Sequence, residues 1–174
     1  HGLWILEDAC HAPGGSFIDL KNQNQFCGNG VYSDLSVFSF HPVKHIACGE
    51  GGMITTNNES LYNKLLSLRT HGITKDISLY QNSKDFASGE ESDSEYPTWY
   101  MEMQTLGFNY RLTDFQAALG LSQLNRADQG VAKRREIALK YYNAFKGEDF
   151  VKGQSKLVEG HAYHLYVLEV ENRM

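Results

Sequence analysis

Residues 36–52, Ser36-Val37-Phe38-Ser39-Phe40-His41-Pro42-Val43-Lys44-His45-Ile46-Ala47-Cys48-Gly49-Glu50-Gly51-Gly52, combine a Val- and Phe-rich strand, a proline that stops it and one lysine on a glycine-flanked turn. Working outward, the apolar run Trp4–Leu6 ends in Glu7-Asp8 and reads as a buried strand that delivers a carboxylate at its C-terminal edge. That edge is where open α/β sheets bind ligands. Met53–Thr56, between glycines and Asn57-Asn58, predicts a third strand. Asn58 then caps a helix to about Arg69 with Leu61, Leu65 and Leu68 on one face. Thr113 with Gln116 forms a capping-box pattern before Phe115, Ala118, Leu119 and Leu121. A further helix from about Arg126 to Lys146 carries Ala127, Val131, Ala138, Tyr141 and Phe145 at helical spacing, with Lys133, Arg134 and Arg135 as a solvated face. Residues 73–98 show neither period and predict a long surface excursion. Gly153–Gly160 is a polar connector, and His164–Val170 predicts a strand opening a second, small domain, which divides the chain at 1–150 and 151–174.

The chain has 174 residues, 41% hydrophobic and 21% charged, enough for a sizeable core and outside the disordered and collagen-like classes. Sixteen basic against 21 acidic residues, a net charge of -5, argue against a generic nucleic-acid or anionic-lipid partner. Much of the excess lies between residues 73 and 98, where Asp76, Asp85, Glu90, Glu91, Asp93 and Glu95 face Lys75 and Lys84; this segment is expected to shape the mouth of a site. No apolar stretch approaches the ~20 residues of a membrane span. Cys10, Cys27 and Cys48 are odd in number and lack C-x-x-C spacing, which suits buried thiols in a reducing cytoplasm. A first residue other than Met and an end four residues after a strand lead to the expectation of missing sequence at both ends, with exposed apolar surface on the piece.

A lone lysine past a strand is most often a solvated surface residue. Lys44 reads differently because Asp8, in Glu7-Asp8-Ala9-Cys10-His11-Ala12, also ends a strand. A lysine that forms a Schiff base and a carboxylate that keeps a pyridine nitrogen protonated are the two polar groups pyridoxal phosphate chemistry needs. His41 and His45 are split by Pro42, so no metal site is expected there. His161 and His164 have odd strand spacing and are expected on opposite faces. Gly49-Glu50-Gly51-Gly52 lacks the lysine and hydroxyl of a P-loop and reads as a tight turn.

Five blocks in order, E-D-A-C-H-A at 7–12, S-F-H-P-V-K at 39–44, G-E-G-G at 49–52, R-T-H-G at 69–72 and G-F-N-Y-R-L-T-D-F-Q-A-A-L-G at 107–120, resemble the sugar aminotransferases of the DegT/DnrJ/EryC1/StrS family. H-P-V-K-H-I most resembles the branch that aminates a UDP-linked 4-keto-6-deoxy-N-acetylhexosamine in pseudaminic acid synthesis. The resemblance implies the α/β fold type I of aspartate aminotransferase, with a mixed, mainly parallel sheet flanked by helices, and a homodimer with shared active sites. It implies pyridoxal 5'-phosphate as cofactor, with L-glutamate and a nucleotide sugar as substrates. Carried over by position, Lys44 is the catalytic, cofactor-bonding lysine and Asp8 the partner of the pyridine nitrogen. His11 contacts the ring's oxygen, Ser39 the phosphate, and Asn109 reaches the phosphate in the partner's site. Arg69, His71, Tyr110 and Arg111 are open between substrate, partner and structural ion pairs. Related dehydratases carry histidine in place of the lysine, so Lys44 argues against that activity; Lys44, Asp8, Ser39 and Asn109 together argue against a non-catalytic scaffold or sugar-binding subunit. The family's N-terminal phosphate-binding turn and ring-stacking aromatic have no counterpart in these residues.

Overall fold

Three short strands build the sheet that carries the candidate site. In the computed structural model, which describes residues 2–89 and 95–171, β1 (Leu6–Asp8) pairs in parallel with β4 (Leu35–Ser39), placing Asp8 opposite Val37. β5 (Gly52–Thr55) adds antiparallel to the other edge of β4, Ser39 opposite Gly52, giving the order β1-β4-β5 and a mixed sheet with one pairing of each kind. The order leaves β4 central, and the chain between β4 and β5 is the turn that carries Lys44. Between β1 and β4 lies an antiparallel hairpin, β2 (Ser16–Ile18) and β3 (Asn24–Phe26), closed by Asn22 at φ 60° and by Asp19, which accepts the Lys21 and Gln23 N–H groups. The sequence reading had no strand here.

The chain divides into two compact units, residues 1–57 with 112–174, and residues 58–111. The first holds the sheet and the two long helices, α3 (Asp114–Leu124) and α4 (Ala127–Phe145). Thr113 starts α3 with the expected reciprocal capping box, and the Gln116 amide also donates to the Glu50 carbonyl at 2.8 Å. Phe40, Ile46 and Cys48 form a buried cluster against Phe38 and Ala127, while α4 buries Val131 and Ala138. Glu7 fastens β1 from the side: its carboxylate accepts the Gly28 N–H at 2.9 Å, the hydroxyl of fully buried Ser36 at 2.8 Å and that of Ser33 at 3.3 Å.

In the run Lys133-Arg134-Arg135, Lys133 and Arg135 are exposed as expected, but the two arginines are also tied to the backbone. Lys133 pairs with Glu136 at 2.7 Å, but Arg134 donates to the Tyr163 and His164 carbonyls, and Arg135 to those of His161, Gly160 and Gly14. Carbonyls of non-helical chain lack a ladder partner, and guanidinium forks supply one. For the same reason the expected strand over 164–170 is reduced to β9 (Glu169–Val170), paired with β8 (Val151–Lys152): the carbonyls at 163 and 164 are engaged by a side chain rather than a neighbouring strand.

In the second unit Asn58 caps α1 (Glu59–Arg69) through the Leu61 N–H at 3.1 Å, with Leu61, Leu65 and Leu68 half-buried. The carbonyls at the end of α1 accept the N–H groups of Gly72, Phe108 and Tyr110. The expected excursion is more ordered than its composition suggests. It contains β6 (Ile73–Thr74), a 3-10 turn Ile77–Leu79 capped by Asp76, and α2 (Lys84–Ser88); β7 (Glu102–Met103) closes it against β6. Its anchor is Glu102, a buried carboxylate that accepts the N–H groups of Gln81 and Asn82 and bonds from Gln104 and Tyr100. Glu90, Glu91 and Asp93 of the acidic run lie outside the described residues. No helix among the described residues is long and apolar enough to cross a membrane.

Candidate active site

Parallel pairing brings the C-terminal ends of β1 and β4 to one edge. Asp8 ends β1, Ser39 ends β4, His11 follows on the turn after β1, and Lys44 follows on the turn after β4. Pro42 and the Lys44 N–H to His41 carbonyl bond at 2.9 Å fold that turn back, and Phe40 ties both its limbs by bonding Gly51 and Cys48 through its backbone. Lys44 itself is half-buried on this turn.

Asp8 is held below the usual carboxylate range, first by hydrogen bonding from the Cys10 side chain and backbone N–H, the latter 3.0 Å from Oδ1, and then by the nearby charges of His11 and Lys44. The same contact pushes the Cys10 thiol up. Asp8, His11 and Lys44 are therefore within electrostatic reach of one another. The Ser39 hydroxyl accepts the His41 N–H at 3.4 Å, an arrangement that leaves its own hydrogen to be donated. Asn109 belongs to the second unit, where it is exposed and its backbone bridges to Thr70 beyond α1.

The histidines contribute more than their spacing suggested. His164, expected on a strand face away from His161, instead turns its ring to 4.1 Å from that of His11 and 5.3 Å from that of His45, centroid to centroid. Burial and the neighbouring charges of His11, His45, Lys44 and Arg134 push His164 down to about 4. Burial likewise lowers His45, whose Nδ1 lies 3.2 Å from the Pro13 carbonyl. His161 is occupied locally, its Nδ1 accepting the Tyr163 N–H at 2.9 Å. Sequence reasoning missed His45 and His164 as site residues; the adjacency of His45 to Lys44 was the one available signal.

This donor set fits pyridoxal phosphate: a carboxylate for a protonated pyridine nitrogen, a half-buried lysine and a serine hydroxyl on the same sheet edge. A lysine and a carboxylate so placed, on a mixed sheet flanked by helices, define the class of fold-type-I pyridoxal phosphate enzymes. The chain belongs to the DegT/DnrJ/EryC1/StrS aminotransferase family, which it matches over residues 1–174, and aminotransferases of that family are pyridoxal-phosphate-dependent. It is 36% identical over 178 residues to the spore coat polysaccharide biosynthesis protein SpsC of Bacillus subtilis, covering 99% of this chain and 40% of SpsC. It is also 36% identical over 167 residues to the UDP-4-amino-4,6-dideoxy-N-acetyl-beta-L-altrosamine transaminase of Campylobacter jejuni, covering 95% of this chain and 37% of the relative. The solved structure of Helicobacter pylori PseC, an aminotransferase involved in the biosynthesis of pseudoaminic acid, superposes with a TM-score of 0.78 at 32% identity, covering 99% of this chain and 39% of PseC. The chain thus spans about 40% of the length of the relatives it matches.

Proposed function

We propose that the protein to which this chain belongs transfers an amino group from L-glutamate to the 4-keto group of a nucleotide-linked 6-deoxy sugar, a UDP-N-acetyl-hexos-4-ulose of the pseudaminic acid type. The observation that carries the reading is the placement of Asp8 and Lys44 at the ends of adjacent parallel strands, with Asp8 ionised and in electrostatic reach of Lys44. When bound, pyridoxal phosphate supplies an electron sink for the donor's α-carbon and a carrier for the amino group. Asp8 would hold the pyridine nitrogen by charge, Ser39 would donate to the phosphate, and His11 would contact the ring's oxygen. Lys44 would hold the cofactor at rest, and once displaced by the donor its Nζ would carry the proton lost by the donor's α-carbon to the cofactor, the same transfer running backwards for the sugar. Asn109 completes the phosphate site of a second copy, so the working unit is a homodimer with shared sites, in the cytoplasm.

The test is borohydride reduction of the full-length protein with added pyridoxal phosphate, followed by peptide mapping. The adduct is expected on Lys44 and absent from Lys44→Ala, with glutamate-dependent amination of UDP-4-keto sugars in the unmodified enzyme. A folded dimer that yields no adduct, or an adduct that persists on another lysine in Lys44→Ala at the unmodified level, overturns the proposal.

A further inference from the structure

His11 is exposed on the turn after β1, where a side chain is free to change rotamer. Its ring is held from a distant part of the chain: the ring of His164 lies against it, centroids 4.1 Å apart and planes inclined by 40°. The backbone that carries His164 is itself pinned to α4. Arg134 donates to the Tyr163 and His164 carbonyls at 3.3 and 3.2 Å, and Arg135 to those of Gly160 and His161, both at 3.0 Å. Tyr163, buried and at φ 48°, donates its N–H to Nδ1 of His161 at 2.9 Å and accepts the Val158 N–H on its hydroxyl at 3.1 Å. What this anchored ring offers His11 is a surface rather than a charge. Burial first, and then the charges of His11, His45, Lys44 and Arg134, push His164 down to about 4, so the ring is uncharged at neutral pH. Its Nδ1 is buried and has no hydrogen-bond partner, so its hold on His11 does not run through that atom.

We propose that His164 is a positioning residue for His11: by packing ring against ring it confines His11 to the rotamer in which His11 meets the oxygen of the cofactor's ring. The role of His11 rests on the aminotransferase reading; the ring packing does not. A side chain that must be immobilised on binding weakens binding, and one immobilised beforehand does not. Fixing a single side chain in this way is worth a factor of about two to ten in affinity. Because His164 acts through His11, removing it costs nothing further once the His11 ring is gone, whereas two independent contacts would lose affinity in proportion to each. Because its contribution is a flat, uncharged ring, another such ring can replace it.

The packing is tested first without cofactor, on the full-length protein with ring-labelled histidine: nuclear Overhauser contacts are expected between the ring protons of His11 and His164, and their absence overturns the proposal whatever the cofactor does. The positioning role is tested by the dissociation constant for pyridoxal phosphate and the visible absorption band of the bound cofactor, in His11→Ala, His164→Ala, the double variant and His164→Phe. His164→Ala is expected to bind about two- to tenfold more weakly and to shift the band in the same direction as His11→Ala. The double variant should bind no more weakly than His11→Ala alone, and His164→Phe should recover most of the affinity and the band position. Losses that multiply in the double variant, an unchanged dissociation constant in either alanine variant, or a His164→Phe as weak as His164→Ala overturns the positioning role. Failure of the folded, unmodified protein to bind the cofactor at all overturns the aminotransferase reading, and the positioning role with it, while the ring contact stands.

Discussion

Removing the Glu7 carboxylate should loosen the strand that carries Asp8. Glu7 accepts three hydrogen bonds, from the Gly28 N–H at 2.9 Å and from the Ser36 and Ser33 hydroxyls at 2.8 and 3.3 Å. Hydrogen bonds to a charged acceptor contribute about 1.5–3 kcal/mol each, but the three are not additive. The two serine hydroxyls lie 2.9 Å apart and can bond one another once Glu7 is gone, which leaves the Gly28 N–H as the principal unpaired group. Glu7→Ala is therefore expected to cost about 2–4 kcal/mol, and Glu7→Gln, which keeps one acceptor oxygen, about 1–2 kcal/mol. Successive strand residues face opposite ways, so Glu7 is locked to one side of β1 while Asp8 projects from the other, and slack in the first is passed to the second. The assay is urea denaturation of the full-length protein without cofactor, paired with a titration of pyridoxal phosphate affinity. Glu7→Ala should lose both stability and affinity, with Glu7→Gln between it and the unmodified protein. Stability of Glu7→Ala within about 0.5 kcal/mol of the unmodified protein would refute the clamp.

Other perturbations follow from the geometry. The folded state protonates His164 only near 4, and His45 is also lowered, whereas the unfolded chain protonates both near 6.5. The unfolded state thus binds more protons in that window, and stability should fall as pH drops from about 6.5 toward 4; urea midpoints at a pH above and one inside the window should converge in His164→Asn. Gly72, at φ +67°, would place any Cβ on the Thr105 carbonyl, so Gly72→Ala should cost about 2 kcal/mol or more, measured by thermal or urea unfolding. Arg135→Ala should cost about 1 kcal/mol and speed amide exchange around Gly160 and His161, with Arg135→Lys failing to restore a fork that bonds two carbonyls at 3.0 Å. Thr113→Ala should cost about 1 kcal/mol through the lost cap, and Thr113→Ser almost nothing.

What could be read from the chain in advance was what its neighbours along the chain determine. The Asn58 cap, the Thr113–Gln116 box and both ends of α4 depend on residues within a turn of each other, and all three fall where expected. The Asp8–Lys44 relation was legible because one apolar run ends in a carboxylate and the other is stopped by Pro42 just before a lysine. The misses depend on partners far along the chain. A basic triplet looks the same whether it meets water or, as Arg134 and Arg135 do, carbonyls some 25 to 30 residues away. His164 joins the site through a segment with no period, and Glu102 organises residues 81–104 by accepting backbone N–H groups that no pattern advertises. The β2–β3 hairpin was missed because three-residue strands are too short to display alternation.

The central position of β4 has a kinetic consequence. Its pairing with β5 closes a hairpin whose connection is the Lys44 turn itself, whereas its pairing with β1 must first enclose the whole β2–β3 excursion, with partners 29 residues apart. Loop-closure entropy favours the shorter closure, so the lysine turn can be assembled while β1 is still searching for its place. Loop length thus favours forming the Lys44 turn before Asp8 is brought to it. The lysine and the carboxylate of the site are therefore joined by the longer of the two closures.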